Sequence, residues 1–453
     1  MKRYHKASMV LILIILFTAF GKSYGDGFES TYIDVRLTSP IVDKNLVNLE
    51  SPFGFSIYNV EDKENALAIF EDEKIVALIN GAGYIDLFDF NGNNLFSLPS
   101  DGSIIIGSND LENPVIKVEK DRYRDFIRLL GSGNELIVVN HLGLQHYLYG
   151  VLPREMSYSS PMEALKAQAV ASRSFSMSNI NKHIGEGYNL CDTTHCQVYG
   201  GYEFERQETN QAVDETEGIY IYYEGQVIEA IYHASSSGYT EDSENVWGGR
   251  VPYLSSVEDI YSLDSPYSHW KINISLSDLK DKLLQNGIYI GDLKAIEIVE
   301  TSPTGKVNRI RLRGSMGEKI VSDSSFRNIL GNTILRSNWF TILGGGIASS
   351  GQKAYVLDGT GLEPRYLDIS SAFIIDGNQQ KKVNRGTVNR AMGKDRLEDI
   401  GLPISAGTND LIIEGRGYGH GVGMSQFGAM KMAEEGFTFE EILKFYYTGV
   451  EVF

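Results

Sequence analysis

The sequence predicts a mixed α+β fold, strand-rich, with a few helices framing a substrate cleft. Two strand-rich stretches and a small set of well-marked helices predict it. From about Thr31 to Val118, short β-branched or aromatic runs (TYIDVRL, KIVALIN, YIDLFDF, GSIIIGS) alternate with turn residues such as NGNN and PSDG, the pattern of strands and hairpins. A second strand-rich stretch holds GIYIYYEG, QVIEAIYHA and AIEIVE. No internal repeat or low-complexity tract interrupts the series.

The helices are marked by their ends. After the strand-like IRLL and ELIVVN, the run LQHYLYGVL reads as a helix halted near Pro153. Ser160-Pro161-Met162-Glu163 then places a hydroxyl at a cap, proline in the first turn and a glutamate three residues on. The helix it opens runs through LKAQAVASRSFSMSNI, where many Ala and Ser positions let a neighbouring backbone approach closely. Near the end, Thr438-Phe439-Glu440-Glu441 supplies another capping box before ILKFYY.

At 453 residues the chain exceeds one typical domain. Lys2, Arg3 and Lys6 precede an apolar run from Met9 to Phe20, and Ser23 and Gly25 are small, so residues 1–25 read as an export signal. The apolar run is shorter than the roughly 20 residues that span a bilayer, which favours cleavage over a retained membrane anchor. Residues 26–120 make an N-terminal β-rich region, and 121–453 carry the motifs that suggest chemistry. The net charge is −18; the leader holds four basic residues and no acid, so the mature chain sits near −22. Such a surface repels phosphate polyanions, which argues against nucleic acid and anionic lipid as partners. Two cysteines, Cys191 and Cys196, fall in one short segment and make no disulfide framework.

Four segments hold the candidate chemistry. In YGVLPREMSYSSPMEALKAQAVASRS, Glu163 has an ordinary role at a helix start, whereas Glu155 follows Pro153 in an irregular stretch between Leu152 and Met156, where partial burial would raise its pKa toward a working value. In HIGEGYNLCDTTHCQVYGG, Cys191, His195 and Cys196, with His183 upstream, offer thiolates and imidazoles suited to zinc, and a small-loop disulfide is the alternative. YHASSSGYTEDSENVWGGRVPYL gathers hydroxyls, an amide, Glu241, Glu244 and Trp247, a surface that suits sugar or simply a polar loop. GRGYGHGVGMSQFGAMKMA alternates five glycines around His420 and then starts a helix; no GK[ST] follows, so it is not a phosphate loop. HExxH, GxSxG and the dinucleotide fingerprint are all missing from the sequence.

The four segments in this order closely resemble the stage II sporulation protein D family, which includes amidase-enhancer relatives, over about Asp121 to Val450 and weakly back to the IDVRL strand at Ile33. The resemblance implies a lytic transglycosylase acting on peptidoglycan glycan strands stripped of stem peptides. Its catalytic glutamate, in a proline-x-Glu-Met turn, corresponds to Glu155. The resemblance also implies a structural zinc on the Cys191, His195, Cys196 and His183 cluster, as in clostridial members. One carboxyl group suffices for such a reaction: as an acid it protonates the glycosidic oxygen, and as a base it takes the proton from the tethered C6 hydroxyl that closes a 1,6-anhydro ring. Lys166, Gln168, Arg173, Ser235, Ser236, Thr240, His420 and Gln426 are the expected cleft residues. A cell-wall amidase and membrane proteins of sporulation are the implied partners beside glycan. Arg154 and the stretch Gly344–Ser405, which reads as an insertion, depart from the family pattern. A non-catalytic amidase enhancer and a zinc-dependent hydrolase are the rival readings.

Overall fold

The computed structural model describes residues 31–344, apart from 40–42, 81 and 111, then 410–453, together with the backbone of short strands between 353 and 399. The expected leader, 1–25, lies outside the described residues, as does most of the expected insertion. The described strands that flank it are neighbours: Trp339–Gly344 pairs antiparallel with Asp410–Arg416 and sets Gly344 opposite Leu411. The chain is mixed α+β and strand-rich, as expected.

The strands obey the period of two that their sequences carry. In Tyr32–Arg36, Ile33 and Val35 are fully buried while Tyr32, Asp34 and Arg36 take the other face; in Lys74–Ile79, Ile75 and Ala77 turn inward. A seven-stranded and a six-stranded sheet bury these faces in one core that runs from Ile33 to Tyr222. The expected boundary near residue 120 falls between two paired strands. Val115–Val118 and Asp121–Arg124 form one hairpin across it, and Tyr32–Arg36 pairs both with Glu135–Gly143 and with Leu190–Cys191. The N-terminal strands thus share one sheet with the motif-bearing segments.

The helices are α1 (Leu144–Glu155), α2 (Met162–Ser178), α3 (Gln207–Asp214), α4 (Ser243–Trp247), α5 (Leu276–Gln285), α6 (Asp323–Leu330), α7 (Gln426–Glu434) and α8 (Phe439–Tyr446). Two details differ from expectation. Helix α1 runs through Pro153 and ends at Glu155: the proline removes only the N–H that would meet the Tyr149 carbonyl, the Met156 N–H still bonds the Leu152 carbonyl at 2.9 Å, and Met156 itself turns extended. Helix α2 is capped by Pro161 with no side-chain cap, and Glu163 instead accepts from the Phe439 backbone N–H at 2.8 Å, stapling the start of α8 to α2. The capping box expected at Thr438 and Glu441 is present.

Helix α2 is the spine of the molecule. Ala164, Leu165 and Ala169 face the sheet core, while Ala167, Val170 and Ala171 face a second core built from α7, α8 and the strands around Ile221 and Met424. Its small side chains allow packing on both sides, which bulky residues would prevent. A third core, with Leu283, Ile310, Phe326 and Leu411, holds α5, α6 and the strands that lead into the glycine-rich segment.

Because Ala171 is fully buried between packed elements, Ala171→Leu is expected to destabilise the fold by about 1–3 kcal/mol. Urea unfolding checks this: the midpoint should fall while the slope stays constant.

Candidate functional site

Glu155 sits in the last turn of α1, where burial removes water from its carboxyl group. Burial raises its pKa above the usual 4.5, and hydrogen bonds from the Tyr232 hydroxyl and the Val198 backbone N–H, with the charge of Arg154, pull partly the other way. The negative end of the α1 dipole acts in the same direction as burial.

Each of the other three segments reaches this carboxyl-bearing residue. Strand Tyr232–His233 pairs in parallel with Met424–Ser425, setting Tyr232 beside Met424 and His233 beside Ser425. The backbone of Gly423 makes this possible: at φ +70 it passes so close to the Ile231 carbonyl that a Cβ there would lie 2.0 Å from the oxygen. Ser425 caps α7, and the next residue, Gln426, donates to the Glu155 backbone carbonyl at 3.0 Å and to Gln168 Oε1 at 3.2 Å. Gln168 in turn donates to Ser172 Oγ at 3.1 Å. From the cysteine segment, Gln197 donates to the Tyr232 hydroxyl oxygen at 3.1 Å, and Val198 supplies its N–H to Glu155. Ser172 also bonds the Tyr232 hydroxyl. With Gln197 and Ser172 both donating to its oxygen, Tyr232 has its own hydrogen free for Glu155. Tyr147 and Ser176 occupy the Gln197 carbonyl oxygen at 3.2 and 2.7 Å, so that buried amide is fully engaged.

The second cluster adjoins the first along the chain. Ligand-capable atoms of His183, Cys191, His195 and Cys196 all lie within 4.8 Å of one another. The two sulfurs, both free thiols, are 3.4 Å apart; Cys196 Sγ is 3.5 Å from His183 Nε2 and 3.6 Å from His195 Nδ1, and Cys191 Sγ is 3.8 Å from His195 Nδ1. A tetrahedral zinc with bonds of about 2.3 Å to sulfur and about 2.0 Å to nitrogen needs edges of about 3.3–3.8 Å, and these four separations fall in that range, so the donor set fits that ion. Glu186 accepts from His183 Nδ1 at 2.6 Å, which leaves Nε2 as the donor atom facing the cluster, and Tyr188 holds the other Glu186 oxygen at 2.8 Å. Burial pushes the Cys196 thiol up to about 11, so at neutral pH it keeps its proton unless a cation displaces it.

The remaining expected cleft residues are dispersed. Ser235, Ser236 and Thr240 are enclosed: Ser235 bonds Ser237 and Ser265, Ser236 bonds Asp259 and Ser262, and Thr240 accepts from the Val257 N–H. Their hydroxyls hold the loop together rather than lining open surface, because a segment this polar can enter the interior only with its partners supplied. Lys166 pairs with Glu163 and Glu215. Arg173 is buried against Gln145, Val213, Thr216 and Ile219, none of which bonds Glu155. His420 accepts from the Val422 N–H at 3.0 Å and bonds the Tyr232 backbone, and burial drives its pKa down to about 3, so it braces the strand as a neutral ring. Half-exposed Trp247 packs 5.3 Å from it, offering an aromatic face to solvent. Tyr232, Gln197 and Val198 were not singled out by the sequence reading, although each lies inside a quoted segment. Gln197 directly follows a cysteine, and Tyr232 opens the hydroxyl-rich run.

A family model described as stage II sporulation protein matches residues 132–223. The chain is 31% identical over 331 residues to an uncharacterised protein of Brachyspira hyodysenteriae, covering 73% of this chain and 72% of that one. The chain belongs to the stage II sporulation protein D family. Two Bacillus subtilis relatives bracket this family member. It is 33% identical over 314 residues to an amidase enhancer, covering 67% of this chain and 39% of the enhancer. It is 27% identical over 334 residues to stage II sporulation protein D, covering 69% and 75%. The matched region 132–223 contains Glu155, all four Cys/His donors, Gln197 and Val198, but ends short of Tyr232 and Gln426.

The raised pKa of Glu155 has a direct consequence for stability. The folded form holds its proton more tightly than the unfolded chain, so stability is fully present below the unfolded value of 4.5 and falls as pH rises through the folded value. Glu155→Gln should therefore unfold at a higher temperature than the parent at pH 8, with the gap closing toward pH 4. Thermal melts across that range check it; a gap that widens on acidification contradicts the burial argument.

Proposed function

We propose that this protein is an exported cell-wall enzyme, a lytic transglycosylase that cleaves the bond between N-acetylmuramic acid and N-acetylglucosamine in glycan strands. The observation that carries this reading is the convergence of all four sequence segments on one glutamate, whose carboxyl pKa burial raises. Burial makes this carboxyl hold its proton more tightly than an exposed glutamate does, which suits it to donate that proton to the glycosidic oxygen as the bond breaks. The carboxylate so formed then removes the proton of the muramyl C6 hydroxyl, whose oxygen bonds to C1 and closes the anhydro ring. Tyr232 and the Val198 N–H stabilise the carboxylate between the two transfers, which keeps its basicity moderate. Gln426 fixes the backbone that carries it. Among the described residues no second carboxylic acid hydrogen-bonds Glu155, in keeping with a nucleophile supplied by the substrate itself.

The same reading assigns a structural zinc to His183, Cys191, His195 and Cys196. Bound there, the ion would cross-link the loop whose next two residues hold Tyr232 and Glu155. The amidase enhancer among the relatives supports a second reading, in which the fold binds peptidoglycan to assist an amidase. A half-buried acid held by hydrogen bonds from three other segments is what proton transfer needs, so the enzymatic reading is preferred.

Digestion of purified glycan strands with the full chain is expected to release anhydro-muramyl ends, and Glu155→Gln should lower that rate by about 10²–10⁴-fold while the fold survives. Mass analysis of the products decides it: reducing ends indicate a hydrolase, and no new ends indicate a binding protein. Elemental analysis of the purified protein should find about one zinc per chain. A chelator should lower the melting temperature of the parent while leaving a Cys191→Ser, Cys196→Ser double variant unchanged.

A further inference from the structure

The opposite end of α1 holds a feature that the chemistry at Glu155 does not use. A cavity of about 300 Å³ opens there, lined by Asp125, Gln145, His146, Arg173, Glu217 and Tyr220, among others. It lies roughly 16 Å along the helix from Glu155, at 1.5 Å per residue.

Its polar groups are of two kinds. The donors are incompletely matched: Arg173 Nε and Gln145 Nε2 have no acceptor. Arg173 is 1% exposed, and its terminal nitrogens bond only neutral groups, namely Gln145 Oε1 and Val213 O at 3.0 and 3.1 Å, and Ile219 O and Thr216 Oγ1 at 3.3 and 3.4 Å. No ion pair among the described residues includes it, and its Nε has no partner. Gln145 is the same: its oxygen serves Arg173, while its Nε2 is buried with nothing to donate to. Helix α1 has no side-chain cap, so its first-turn N–H groups add positive potential at the same place. A buried guanidinium and an idle amide are costly unless something accepts from them.

The second kind is negative. Asp125 occupies left-handed backbone, φ 62, which is uncommon for a residue with a side chain, and its carboxylate is fixed by the Gly143 N–H at 2.9 Å and His146 Nδ1 at 2.8 Å. Glu217 lines the same cavity from an exposed position. A simple anion would meet these two carboxylates, and a simple cation would meet Arg173 and leave the donors idle. A ligand with both charges satisfies both sets.

We propose that this cavity binds a free α-amino-acid group, its carboxylate toward Gln145, Arg173 and the start of α1, and its ammonium toward Asp125 and Glu217. The volume admits a small amino acid or the end of a longer one, and nothing in the reading depends on Glu155.

Calorimetric titration of the full chain with D-alanine, L-alanine and meso-diaminopimelate, beside acetate, inorganic phosphate and methylamine, tests it. At least one amino acid should bind saturably and roughly tenfold more tightly than acetate, phosphate or methylamine. Glu217→Gln, at an exposed position that leaves the fold intact, and Gln145→Leu should each weaken that binding. Saturable binding of none of the amino acids would overturn the proposal. So would acetate or phosphate binding as tightly as the amino acids, which would mark a plain anion site. Binding that survives Glu217→Gln undiminished would remove the ammonium half and overturn it as well.

Discussion

The hydrogen bond from Tyr232 to Glu155 is the contact on which the rest of the site depends. It exists only because a strand of the hydroxyl-rich segment lies parallel to Met424–Ser425, and because Gln197 and Ser172 already occupy the Tyr232 oxygen as donors. The tyrosine hydrogen then has one place to go. The carboxyl group is thereby held by the fold itself, which is the preorganisation that the proposed proton transfer needs. Burial and the hydrogen bonds oppose each other in their effect on its proton affinity, and burial prevails.

That geometry is expensive in backbone terms, and the fold meets the need with small residues at the crossings. Gly423 passes the Ile231 carbonyl at a distance no side chain permits, and Gly150 in α1 does the same for the Tyr199 ring, where a Cβ would come within 2.4 Å. Helix α2 contributes alanines and serines toward two cores at once. These positions explain why segments hundreds of residues apart can press on one carboxyl group: the elements between them approach more closely than ordinary helix packing allows.

The Cys/His cluster belongs to the same construction. Its last donor, Cys196, is followed immediately by the glutamine that fixes Tyr232 and by the N–H that reaches Glu155. Any ion held by the four donors would therefore stiffen the segment that sets the Glu155 hydrogen bonds. The N-terminal strands act at a further remove: Tyr32–Arg36 pairs with Leu190–Cys191, anchoring the base of that loop to the main sheet.

The fold class, the alternation of Ile33, Val35, Ile75 and Ala77, the box at Thr438 and the donor types at Cys191 and Cys196 follow from local chemistry, and local chemistry is written in adjacent residues. The prominence of Glu155 was likewise legible, from its segment and the family resemblance. Tertiary structure decided what surrounds it. The pairing of Tyr232 with Met424, the engagement of Gln197, the enclosure of Ser235, Ser236 and Thr240, and the removal of Arg173 to the far end of α1 all depend on contacts between distant segments. A hydroxyl in a polar loop has the same sequence signature whether its partner is a sugar or a buried aspartate. Only the packing that brings Asp259 to Ser236 tells the two apart, because burial and hydrogen-bond satisfaction are properties of the folded whole.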